Sequence, residues 1–204
     1  MRVYQILVGP MQNFSYIVED ETTHEAIVID PSWDLEKLTE IINEQNLNPK
    51  YIVNTHWHDD HTRGNEDLAK ELSVKIVQHN ASQLKNDLTV SDGDSIKFGC
   101  SELAVYHTPG HSKDSICLVG DRKIFSGDTL FVGNCGRIDL PGGSAKELYH
   151  SLSDVITNLS DDLVLYPGHD YGSSPTSTIG REKRTNPVIA RVPSEATFIE
   201  RMGG

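Results

Sequence analysis

The chain has 204 residues, enough for one hydrophobic core of ordinary size. Apolar residues make up 37%, and the 16 glycines bring that to about 45%, a composition that excludes a disordered chain. A formal charge of −12, from 18 Lys and Arg against 30 Asp and Glu, repels phosphate backbones and argues against nucleic acid or an anionic membrane as the partner.

The first half opens with β signals: RVYQILV, then FSYIV, a turn at 21–24, and EAIVID, the spacing of a meander of short strands. A helix is expected over 32–46, because Leu35, Leu38, Ile41 and Ile42 recur at helical spacing and Pro49 stops any continuation. Strands and helices then alternate: YIVNT, a helix over 66–72, VKIVQ, a short polar helix near Ala81, and the pair SIKF and ELAVYH. SICLV and KIFS predict a hairpin across Gly120 and Asp121. The clearest helix signal spans 145–159, where Ser144 and Glu147 form a capping box and Ala145, Leu148, Leu152, Val155, Ile156 and Leu159 make one apolar stripe.

Two groups of strands with helices between them predict two sheets sandwiched by helices. No linker, repeat or low-complexity tract divides the sequence, so a single domain over 1–204 is expected, with a short basic C-terminal tail from about 181. Residues 181–204 carry five basic and three acidic residues, a net of +2, leaving 13 basic against 27 acidic before them. No apolar run exceeds about four residues, far below the ~18 a membrane helix needs. MRVYQILVGP has no stretch of signal-peptide length, and Cys100, Cys117 and Cys135 are odd in number and widely spaced. Reduced thiols and a cytoplasmic location are the expectation.

Four segments share one design: a short apolar strand, a break, then a metal-binding side chain. YIVNT runs into His56, His58, Asp60 and His61; ELAVYHTPG into His111; KIFSG into Asp128; LVLYPG into His169. If these strands run the same way, their ends converge on one rim. Five imidazoles and two carboxylates suit Zn²⁺, Fe²⁺ or Mn²⁺ and are too many for one four-coordinate ion, whereas two ions sharing a carboxylate would use them. In HWHDDH, His56 and His58 point the same way from an extended segment, and Asp60 and His61 lie past the bend, facing a second ion. His24, His79, His107 and His150 are read as ordinary solvated or hydrogen-bonded side chains.

THWHDDHTRGN, TPGHS, SGDTLF and PGH, in that order, resemble the metallo-β-lactamase superfamily. The resemblance implies a four-layer αββα sandwich, with His56, His58 and His111 on a first metal, Asp60, His61 and His169 on a second, and Asp128 bridging them. Within the superfamily, the bridging aspartate and NCGRIDLPGG are similar to the glyoxalase II branch, the hydroxyacylglutathione hydrolases, particularly its short members. That branch implies thioester hydrolysis by two divalent ions, zinc first and iron or manganese next, with Asp60 orienting a bridging hydroxide. Arg137 stands where such enzymes carry a basic residue near the thiol-bearing substrate, and Tyr171 follows His169 closely enough to reach the pocket.

Two departures separate the chain from longer glyoxalase II enzymes. About 17 residues follow Pro187, so their helical C-terminal domain is expected to be absent, and Asp139 replaces an aromatic residue. Arg181, Lys183 and Arg184 would then stand in for the missing glutathione contacts. Persulfide dioxygenases offer a second match, with a GCGR-x-D stretch, Asp170 and Tyr171 after the last histidine, and a single iron that would fall to His56, His111 and Asp128. A lactonase or other small ester hydrolase is a further alternative. All three imply a small-molecule substrate, thiol-derived in the first two, and the family allows a homo-oligomer. Cys135 and Trp57 are read as packing residues of the loops around the site.

Overall fold

Alternate side chains of the apolar strands are buried on opposite faces, and this sets the layering. Ile27 and Ile29 enter one cluster, with Val53, Leu103, Leu118 and Phe125, while Ala26 and Val28 enter another, with Leu38, Ile42 and Leu68. Strands buried on both faces need a packed layer on each side, here the second sheet on one and helices on the other.

The computed structural model describes residues 1–190 and 194–203. Its first sheet contains β1 (Arg2–Val8), β2 (Asn13–Glu19), β3 (Glu25–Ile29), β4 (Asn48–Val53), β5 (Lys75–His79) and β6 (Leu88–Val90), in that spatial order, connected in part through α1 (Leu35–Glu44), α2 (Asp59–Thr62) and α3 (Asn65–Leu72). The second contains β7 (Ser95–Phe98), β8 (Ser101–His107), β9 (Ile116–Gly120), β10 (Lys123–Gly127), β11 (Val164–Pro167) and β12 (Ser177–Thr178), again side by side in sequence order, with α4 (Ala145–His150), α5 (Ile179–Thr185) and α6 (Glu195–Met202). The first cluster fills the space between the sheets. Leu148, Leu152, Ile156, Ile179 and Phe198 cover the outer face of the second sheet over Cys117, Ile124 and Leu165. The result is the expected αββα sandwich.

Strand direction explains why the chemistry gathers at one end. β3 to β6 pair in parallel, and β10 pairs in parallel with β11. β9 is antiparallel to both β8 and β10, so β8, β10 and β11 all run the same way. Tyr16 ties the sheets together through its hydroxyl, which donates to the Pro167 carbonyl at 2.5 Å.

Several elements differ from the sequence reading. The segment at Ala81 is a turn, because Ser82 bonds Gln78 and its hydroxyl accepts from the Leu84 amide, replacing helical partners in a stretch with no apolar stripe. The helix over 145–159 is α-helical only through His150. A π-helical turn, Ser151–Val155, and a 3-10 turn, Ile156–Asn158, complete it. There the Ser151 hydroxyl donates to the Pro109 carbonyl and Thr157 back-bonds to Ser153, while the Ser144 cap on Glu147 is present as expected. The region from 181 is built into the fold rather than trailing from it, since Ile189 and Phe198 are buried. Of that region, 191–193 and Gly204 lie outside the described residues. Among the described residues no helix is long and apolar enough to cross a membrane.

Phe125 is fully buried, with its ring 5.2 Å from those of both Tyr16 and Tyr166. Phe125→Ala is expected to lower unfolding stability by about 3–5 kcal/mol. Urea denaturation should show a lower midpoint with an unchanged slope.

Candidate metal centre

Each site residue leaves the end of a strand at the same edge. His56 and His58 follow β4, and Asp60 and His61 lie on the single turn of α2. His111 follows β8, Asp128 follows β10, and His169 follows β11. The structure brings all seven predicted side chains together. His56, His58 and His111 place one donor atom each within 4.8 Å of one another, as do Asp60, His61 and His169. Asp128 stands between the groups: Oδ1 is 3.4 Å from His61 Nε2, and Oδ2 is 3.4 Å from both His111 Nε2 and His169 Nε2.

Outer hydrogen bonds fix which nitrogen faces inward. His111 Nδ1 donates to the Arg137 carbonyl at 2.6 Å and His169 Nδ1 to the Met11 carbonyl at 2.9 Å, leaving Nε2 of each as an acceptor toward the centre. His61 Nδ1 lies 3.1 Å from Asp30 Oδ2, and His56 Nδ1 lies 3.1 Å from Thr55 Oγ1. His58 instead presents Nδ1, 2.9 Å from His111 Nε2. His56 Nε2 and Asp128 Oδ1 are buried with no hydrogen-bond partner, and orphaned nitrogen and carboxylate lone pairs of this kind are what a divalent cation satisfies. The donor set fits a metal.

The electrostatics differ between the two groups: burial lowers His61 and His169, but Asp128 and Asp60 outweigh it and raise both, His169 to about 9. Burial, reinforced by the neighbouring His61, pushes the His56 imidazole well below its usual pKa, so it stays a neutral ligand. Burial opposes ionisation of Asp128, but the His61 and His169 imidazoles outweigh it and hold the carboxyl well below the ordinary range.

Asp30 was missed by the sequence reading. It ends the EAIVID strand in the same way the ligands end theirs, and that shared design was the available signal. Its carboxylate accepts from the Thr55 amide at 2.7 Å and the Thr55 hydroxyl at 2.6 Å while meeting His61, so one buried acid orients both the β4 exit and a ligand. Asn54, which donates to the His61 carbonyl and bonds Asn65 and Gln78, braces the same turn.

A cavity of about 370 Å³ opens onto the site, lined by Met11, Phe131, Asn134, Cys135, Arg137 and Tyr171 besides the ligand groups. Tyr171 stacks on His169 with ring centroids 4.5 Å apart, and Phe131 meets both rings edge-on. Arg137 reaches the cavity, its guanidinium paired with Asp139. Burial pushes the Cys135 thiol up to about 12, in keeping with a packing role rather than a reactive thiolate. Arg181, Lys183 and Arg184 do not line the cavity. Arg181 and Arg184 point to solvent, and Lys183 donates to the Leu159 carbonyl and to Asp161. His24, His79, His107 and His150 sit outside the site with partners of their own, as read from the sequence.

A sequence profile of the metallo-beta-lactamase superfamily matches residues 8–85 and 78–169. The chain belongs to the metallo-β-lactamase superfamily. Members of this superfamily are metal-dependent enzymes, and the relatives of this chain include proteins named persulfide dioxygenases and proteins named hydrolases. Over 194 residues it is 37% identical to the human protein named mitochondrial persulfide dioxygenase ETHE1, spanning 93% of this chain and 76% of that one. Over 176 residues it is 35% identical to the Schizosaccharomyces pombe protein named "Probable hydroxyacylglutathione hydrolase glo2", spanning 81% and 67%. The crystal structure of ETHE1 from Myxococcus xanthus matches with a TM-score of 0.94 at 32% identity, covering 100% of this chain and 91% of that one.

Close backbone approach around Asp128 gives a direct test of the superfamily site in this chain. A Cβ on Gly168 would stand 2.3 Å from Asp128 Oδ1 and 3.0 Å from His61 Cε1. Gly168→Ala is therefore expected to weaken metal binding by roughly 10–100-fold, the usual effect of disturbing groups that orient ligands, with circular dichroism unchanged. Metal retention against a chelator series would measure it, and wild-type retention would contradict the placement of Asp128 at the centre.

Proposed function

We propose that the chain is an iron-dependent persulfide dioxygenase acting on a low-molecular-weight thiol persulfide. The observation that carries this reading is the likeness to two ETHE1 proteins, which spans 93% and 100% of this chain. At the site itself, His56 Nε2 is buried without a hydrogen-bond partner, and Asp128 Oδ2 lies 3.4 Å from His111 Nε2. One ion held by His56, His111 and Asp128 would satisfy His56 Nε2 and leave open positions, the arrangement of two histidines and one carboxylate suited to non-haem iron.

Bound iron would supply the activation of dioxygen. In the overall reaction RSSH, O₂ and H₂O give RSH, sulfite and two protons. The outer sulfur rises from the sulfane level to that of sulfite as dioxygen takes up four electrons. The protein's part is to bind and orient. Phe131 and Tyr171 form an aromatic wall beside His169, and Arg137 offers a cation to a carboxylate of the thiol carrier. Exchange of Asp139 for a substrate carboxylate as the partner of Arg137 would keep the guanidinium paired in both states.

Thioester hydrolysis by two divalent ions, zinc, iron or manganese, is the second reading, favoured by the span of Asp128. Its two oxygens reach toward both clusters, as a bridging carboxylate would, and Asp60 would orient a hydroxide.

His169→Ala separates the two. For a dioxygenase, purified variant and wild type should both hold about one iron per chain, and oxygen uptake with glutathione persulfide should survive within roughly tenfold. Two metal ions in the wild type, one in the variant, and hydrolysis of S-lactoylglutathione lost with the second ion would replace the first reading by the second. Asp128→Ala should abolish activity in either case.

A further inference from the structure

The segment STIGREKRTNP does something other than present its cations to substrate. In α5 and just beyond it, Ile179, Glu182 and Asn186 are buried while Arg181 and Arg184 are exposed, the i, i+3, i+7 pattern of a helix face turned inward. Two of those three inward residues are polar. Glu182 is 1% exposed and Asn186 0% exposed. A carboxylate so deeply buried is costly unless every lone pair is used, and the hydrogen-bond partners of Glu182 are all neutral groups.

One of those partners, Gly133, belongs to the turn whose neighbours Phe131 and Asn134 line the cavity. Glu182 accepts from the Gly133 amide at 2.8 Å, from the Ser177 hydroxyl and from Asn186 Nδ2 at 2.9 Å. Asn186 Nδ2 also donates to the carbonyls of Phe131 at 3.2 Å and Asn134 at 3.1 Å. Phe131 and Asn134 close a tight turn on each other, with Gly133 at φ +79° between them. Three backbone groups of this four-residue turn are thus held by two side chains of one helical segment. The turn leads directly into Cys135 and Arg137, and Phe131, Asn134, Cys135 and Arg137 all line the cavity.

We propose that Glu182 and Asn186 are positioning residues: a buried clamp that sets the 131–135 wall against the substrate while leaving the metal ligands alone. The inference rests on the reading of this cavity as the site of a small thiol-derived substrate. The far end of the loop is pinned separately, by His111 Nδ1 on the Arg137 carbonyl, so releasing the clamp frees the wall without releasing a ligand.

Asn186→Asp is the sharpest probe, since it is nearly isosteric, keeps the oxygen that accepts from the Val188 amide, and replaces only the amide donor by an acceptor facing two carbonyls and a carboxylate. The test is run in a Cys100→Ser background, which removes the exposed thiol. Alkylation read by mass spectrometry then reports Cys135 in the wall and Cys117 in the core of the second sheet. Asn186→Asp and Glu182→Ala should raise Cys135 alkylation and KM for glutathione persulfide each by about tenfold or more, with Cys117 protected, metal content unchanged and kcat within about threefold. Glu182→Gln, which keeps an acceptor for Gly133, should restore both.

The clamp is rejected if Cys135 stays protected, if Cys117 becomes reactive together with it, or if KM holds while metal is lost. Absence of persulfide turnover in the wild type would reject the substrate, whereas the alkylation pattern would still decide whether the clamp holds the wall.

Discussion

Asp128 is the group on which the rest of the site depends. Its carboxylate is buried between two sets of histidines, a position that would be prohibitively unfavourable in an apolar core and is stable only where cations or protonated imidazoles face it. The backbone around it is shaped to allow this. β10 breaks register with β11 between Phe125 and Gly127, and Gly127 takes φ +48° with the space for a Cβ already filled by Thr55. Gly168 closes the other side. Bulge, left-handed residue and missing side chain together turn the end of a core strand into a place for an anion.

The two sheets then divide the work. The first contributes the HxHxDH segment and its brace: Asp30 from β3 orients the β4 exit and His61, and Asn54 with Asn65 and Gln78 holds the turn that follows. The second contributes His111, Asp128 and His169 from three strands that run the same way, although β9 separates the first two in space. Neither sheet holds a complete set. The interface between them, sealed by Tyr16, Phe125 and Tyr166, therefore fixes the ligand geometry as well as the stability of the fold.

The ligands were legible in the sequence because their signal is redundant: four apolar strands each ending in a turn with a metal-binding side chain. The sandwich was legible for a similar reason, since two groups of short apolar strands with helices between them leave few alternatives. The elements that escaped are those whose formation depends on partners distant in the chain. β6 and β12 have three and two residues, too few for alternation to register, and exist because β5 and β11 present free edges. The π-helical turn after His150 places the Ser151 hydroxyl on Pro109, a contact 42 residues away that no local pattern announces.

The cations at 181–184 failed for a different reason, and it bears on how charge is read. A net +2 segment beside an acidic protein suggests a site for anions, but charge on a helix marks its solvent face. The function of such a segment lies in polar residues at the spacing of the buried stripe, because burying Glu182 and Asn186 is unfavourable unless their bonds hold something in place. Here they hold the turn that carries Phe131 and Asn134. The acidity of the surface likewise says little about the ligand of the centre. A bound divalent cation would make the floor of the cavity locally positive whatever the sum over the chain, and Arg137 adds a second positive group at its wall. Local field, not net charge, sets which substrates can enter.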